Sequence, residues 1–70
     1  MTNQQFTDYL RAKMDVYKQL PLKDQTANAK EIGLLQDAIR IMTHGTGPAR
    51  RRFRRDYERN LARQGVTLKP

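Results

Sequence analysis

The stretch Glu31-Ile32-Gly33-Leu34-Leu35-Gln36-Asp37-Ala38-Ile39-Arg40-Ile41-Met42 carries its apolar residues at helical spacing. Ile32, Leu34, Leu35, Ala38, Ile39, Ile41 and Met42 cover about half of a helix circumference, wider than the stripe of an ordinary surface helix. A helix apolar over so wide an arc needs two neighbours, so this one is expected at the centre of the fold. Its start lies between Asp24, an early cap, and Asn28, which heads a capping-box pattern with Glu31. Residues 24–44 are taken as its span. Gly45 follows His44 as a natural terminator, because glycine enters the left-handed conformation without penalty.

Upstream, Thr2-x-x-Gln5 forms a second capping-box pattern and opens a helix over about residues 3–20. Phe6, Tyr9, Leu10, Met14, Val16, Tyr17 and Leu20 fall on one arc, with Asp8, Arg11, Asp15 and Lys18 on the other side. Lys13 points into the apolar arc, so its ammonium is expected to snorkel past neighbouring stems, with a buried ion pair to an acid as the alternative. Pro21 ends the helix, since the residue before proline avoids the helical region. Downstream, Thr46-Gly47-Pro48 is a short linker that supplies a cap and a first-turn proline. A third helix then runs over about residues 48–64. Gly65 stops it, and residues 65–70 read as a short extended tail. No strand pattern and no internal repeat is present. The fold class is all-α: one small three-helix domain with a basic C-terminal helix.

Seventy residues allow one modest core. Without cysteine, the fold must be held by packing or by a partner. No apolar run approaches the ~20 residues of a bilayer span. The segment Met1–Phe6 lacks the basic and apolar regions of a secretory signal, and an intracellular location with no membrane association is expected. The net charge is +7, and it is unevenly placed. Met1–Thr46 holds six basic and five acidic residues, whereas Gly47–Pro70 holds eight basic and two acidic. Such asymmetry points to a polyanionic partner.

The third helix concentrates that charge. Ala49, Phe53, Tyr57 and Leu61 recur at i, i+4 spacing and form one narrow apolar stripe. Arg51, Arg52, Arg55, Arg59 and Arg63 lie opposite it, while Arg50 and Arg54 flank one edge. Phe53, Tyr57 and Leu61 read as core, with base stacking by Phe53 or Tyr57 as the competing role. Arg50, Arg51 and Arg52 occupy the first turn, at the positive end of the helix dipole. Arg51, Arg55, Arg59 and Arg63 repeat like charges at i, i+4. Asp56 can relieve Arg52 and Arg59, and Glu58 can relieve Arg54 or Arg55, but compensation is partial. A charge arrangement that weakens its own helix is better explained by a bound anion than by solubility. Seven of the eight basic residues after Gly47 are arginine. The guanidinium binds phosphate bidentately and stacks on bases, which a lysine does not match.

The string Ala49-Arg50-Arg51-Arg52-Phe53-Arg54-Arg55 resembles the arginine-rich RNA-binding helices of lambdoid phage antitermination proteins, which also carry three arginines, a spacer and two more. The resemblance covers these residues alone and implies RNA contact by this segment. The chain differs in having Phe53 as the spacer and a packed helical body upstream.

Enzyme chemistry finds little support. Nucleophilic catalysis needs a nucleophile beside a base and an orienting group. The chain has no serine or cysteine, and its one histidine, His44, reads as a helix C-terminal residue. The carboxylates Asp8, Asp15, Glu31 and Asp37 read as exposed, and His44-Gly45-Thr46-Gly47 lacks the spacing of a phosphate loop. No cofactor or metal is expected. The function expected is nucleic-acid binding, with RNA slightly preferred over DNA, through Arg50, Arg51, Arg52, Arg54, Arg55, Arg59 and Arg63. The alternative is a small adaptor, regulator or virion component of the phage type, whose arginine helix docks on an acidic protein surface. A homodimer is compatible with either, given the wide apolar face of the second helix.

Overall fold

The computed structural model describes residues 1–66, and these form four helices with no strand among them. They are α1 (Asn3–Lys18), α2 (Leu22–Ala27), α3 (Ala29–His44) and α4 (Gly47–Arg63). The class is all-α, with one helix more than the periodicity of the sequence indicates. Of the expected tail, residues 67–70 lie outside the described part.

α1 opens on the expected capping box. The Gln5 amide donates to Thr2 Oγ1 at 3.1 Å, and the Thr2 amide donates to Gln5 Oε1 at 2.8 Å. The helix ends at Lys18, two residues before the expected limit. Its terminal carbonyls are closed from outside: Gln25 Nε2 donates to the carbonyls of Lys18 and Leu20 at 3.0 and 2.8 Å. These are the groups a helix C-terminus leaves without partners. Gln25 stands on α2, which Pro21 introduces as its N-cap residue.

The second expected helix is therefore two helices. The break falls at Asn28, with φ −107° and ψ 18°. Asn28 does not cap α3 with its side chain; its Nδ2 instead donates to the Asp24 carbonyl, one turn back, at 2.8 Å. This is the usual competition of a short amide side chain with helical backbone bonding. It lets α2 act as a corner between α1 and α3.

α1 and α3 build the core. Phe6, Leu10 and Met14 from α1 meet Leu35, Ala38 and Met42 from α3, all nearly free of solvent contact. Thr7 is buried with them, its hydroxyl donating to the Asn3 carbonyl at 2.8 Å. Thr7 was not legible as an interior residue, and Val16, assigned by spacing to the apolar arc, is 63% exposed. The buried face of α1 is thus rotated toward Thr7. Leu34 and Ile41 remain partly exposed, so α1 and α4 cover most but not all of the wide face of α3.

Candidate nucleic-acid interface

α4 is built on local signals. Thr46 Oγ1 accepts from the Ala49 amide at 3.3 Å, and Pro48 sits in the first turn, where its missing N–H costs nothing. At the other end Gly65 takes φ +82°. The Gly65 amide donates to the Ala62 carbonyl at 3.0 Å, and the Val66 amide to the Leu61 carbonyl at 2.9 Å. That pair of bonds is the Schellman closure, which requires a left-handed residue.

The helix docks through aromatics. Phe6 of α1 lies 5.2 Å from Tyr57, edge to face, and 6.2 Å from Phe53, between ring centroids. Such pairs are worth about 0.5–1.5 kcal/mol beyond the area they bury. Leu61 is half-buried, whereas Ala49 is exposed. The docked face is consequently turned away from Ala49 and toward Arg50 and Arg54.

That rotation divides the seven candidate arginines into two groups. Arg50 and Arg54 are half-buried. The Arg50 Nε donates to the Gly45 carbonyl at 2.8 Å, and the Arg54 Nη1 donates to the Met1 carbonyl at 2.7 Å. Arg54 also approaches Glu58, with Nε to Oε1 at 3.9 Å, too long for a hydrogen bond. Both of those atoms are shielded from solvent and lack a hydrogen-bond partner. Arg54 therefore pins α4 to the start of the chain.

Arg51, Arg52, Arg55, Arg59 and Arg63 are exposed. Among the described residues, Arg54–Glu58 is the only ion pair, so Glu58 serves Arg54 and Asp56 pairs with neither Arg52 nor Arg59. Pro48, Arg51, Arg52, Arg55, Asp56 and Arg59 line an open depression of about 350 Å³. Four guanidiniums and one carboxylate thus face the same space. No acidic residue stands in the first turn of α4 to offset the helix dipole. The surface is chemically suited to oxyanions, which accept the forked N–H donors of several arginines at once.

Two other candidates can be placed. His44 is exposed in the last turn of α3, away from any cluster of metal-ligating groups among the described residues. The Lys13 Nζ lies 5.9 Å from the Tyr9 ring centroid. Burial alone would lower its pKa, but the phenol oxygens of Tyr9, Tyr57 and Tyr17 outweigh that and raise it. Burial raises the pKa of Tyr57, and the Lys13 ammonium opposes part of that rise. Lys13 is thus a snorkelling stem over an aromatic surface, as its position in the apolar arc suggests.

No helix among the described residues is long and apolar enough to cross a membrane. No protein-family model, curated protein or solved structure matches the chain.

Proposed function

We propose that the protein binds nucleic acid, structured RNA in preference to DNA, through the exposed face of α4. The reading rests on one observation above all: five exposed arginines share a helix face, and no carboxylate among the described residues pairs with them. At ~1.5 Å per residue the helix is ~25 Å long, a match for an RNA groove or the DNA major groove. Arg51, Arg55 and Arg59 repeat once per turn and track a phosphate backbone, while Arg52 and Arg63 flank them. The RNA preference follows from the planar guanidinium, which stacks on the unpaired bases of irregular RNA as well as pairing with phosphate.

The test is a binding titration over salt concentration against an RNA hairpin, a DNA duplex and a single strand. Five phosphate contacts on duplex DNA give a log–log slope of about −4 to −5. Replacing Arg51, Arg55 and Arg59 by Gln should flatten that slope by about 3. Absence of binding at low salt rules the reading out.

A protein partner is the second reading, and the α3–α4 groove favours it. Leu34, Ile41, Phe53 and Tyr57 line a largely apolar groove of about 240 Å³, with Glu31 and Asp37 also on its walls. Phosphates do not need such a surface. In this reading the arginine face docks on an acidic protein surface, and the complex survives nuclease digestion.

A further inference from the structure

A second depression, of about 220 Å³, lies where the start of α1 meets the end of α3 and the first turn of α4. Asn3, Gln4, Thr7 and Arg11 of α1, Thr43 of α3 and Arg50 of α4 line it. Its volume is several times the ~30 Å³ that one water occupies in the liquid. Two guanidiniums from different helices face it, and no carboxylate contributes to its walls. The nearest acid in sequence, Asp8, accepts a hydrogen bond from Gln4 Nε2 at 2.9 Å and forms no ion pair with Arg11.

The neighbouring side chains are already committed in a way that leaves donors outward. Arg50 uses its Nε on the Gly45 carbonyl, which fixes the guanidinium and leaves its terminal nitrogens for a ligand. The Asn3 amide turns its oxygen into the protein, shielded and without a partner, so its NH₂ is the end that can face the depression. Thr7, 8% exposed, also lines the depression. Two cations and an amide donor around a polar hollow are chemically suited to an oxyanion.

We propose that this depression binds a phosphate group, and that it takes a second phosphate of the same nucleic acid that lies along α4. The inference rests on the nucleic-acid reading of α4. Arg50 and Arg51 are consecutive residues near the start of α4, about 100° apart around the helix, and each lines one of the two depressions. A strand that follows the helix surface round from Arg51 to Arg50 would reach the hollow between α1 and α4. Arg11, on a different helix, would then widen the footprint beyond a single helix and fix the end at which the nucleic acid departs.

Arg11 is exposed and makes no ion pair among the described residues, so its replacement tests binding without removing a structural contact. Salt titrations of an RNA hairpin compare wild-type protein with Arg11→Gln and with Lys23→Gln. The second variant removes the same unit of charge from α2, outside both depressions. Arg11→Gln is expected to weaken binding several-fold and to lower the salt slope by about one phosphate contact. Lys23→Gln should leave the slope unchanged. Equal effects of the two variants overturn the proposal, since net charge alone would then account for both. If Arg51/Arg55/Arg59→Gln abolishes binding while Arg11→Gln matches Lys23→Gln, the α4 reading stands and the second site falls. If wild-type protein does not bind, the α4 reading itself fails.

Discussion

A β-carbon at Gly45 would stand 2.5 Å from the Ile41 carbonyl oxygen, which is backbone and cannot swing aside. The sequence suggests a left-handed glycine here, but Gly45 adopts φ −72° and ψ 163°, angles open to any residue. Its role is close approach: the chain turns tightly against the end of α3, and Arg50 folds back onto the Gly45 carbonyl. Gly45→Ala should destabilise the fold by about 1–3 kcal/mol, in the range of overpacked sites. In a domain of this size that lowers the melting temperature by about 4–8 °C per kcal/mol. An unchanged melting temperature would show that the Ile41 turn relaxes freely. Titration makes a second residue-scale prediction. Lys13 and Tyr57 both have raised pKa values, so both bind protons more tightly in the folded state. That contribution is complete below their ordinary values, near 10, and is lost as pH rises through the raised ones. Thermal stability should therefore be flat near neutrality and fall above about pH 10. Tyr57→Phe removes one raised group and one cause of the Lys13 rise, so it should reduce the alkaline fall.

Elements show where spacing succeeds and where it stops. The two faces of α4 were legible because Phe53, Tyr57 and Leu61 repeat at one turn and the arginines fill the rest. The exact rotation was not. Ala49 belongs to the apolar stripe by spacing, yet it is exposed, while Arg50 and Arg54 are half-buried. The cause is long-range: Arg54 reaches the Met1 carbonyl, a partner 53 residues away that no local pattern reveals. The break at Asn28 was hidden for a related reason. Asn28 reads as a cap from its neighbours, but its amide prefers the Asp24 carbonyl, and Gln25 is drawn to the end of α1. Docking of α4 rests on the aromatic cluster, so Phe6→Ala is the severe change. Phe6 is fully buried and in contact distance of Tyr9, Phe53 and Tyr57, and its truncation should cost about 3–5 kcal/mol. Against a total stability of order 5–15 kcal/mol, substantial unfolding in urea is expected at low denaturant. A midpoint near wild type would place the core elsewhere.

For the whole molecule, the division of labour follows from charge and size. Among the described residues, α1 and α3 hold the six buried hydrophobic side chains, and α4 holds none. α4 is thus carried by the body rather than building it, which frees its outer face for a partner. The all-helical class was legible in the periodicity, and the candidate site was drawn from the excess of arginine after Gly47. The separation of structural from available arginines required the packed structure. Charge that destabilises an isolated helix is tolerated on a docked one, and a bound polyanion would relieve it.

The most direct test of that account is the salt dependence of RNA-hairpin binding by wild-type protein and by two triple or double variants of opposite role. Arg51/Arg55/Arg59→Gln should retain the folded circular-dichroism spectrum and lose most of the salt slope, about one unit per phosphate contact removed. Arg50/Arg54→Gln should lower the melting temperature, because the contacts to the Gly45 and Met1 carbonyls are lost. Binding by wild-type protein that is absent at low salt, or whose salt slope survives loss of Arg51, Arg55 and Arg59, would contradict the assignment of α4 as the nucleic-acid interface.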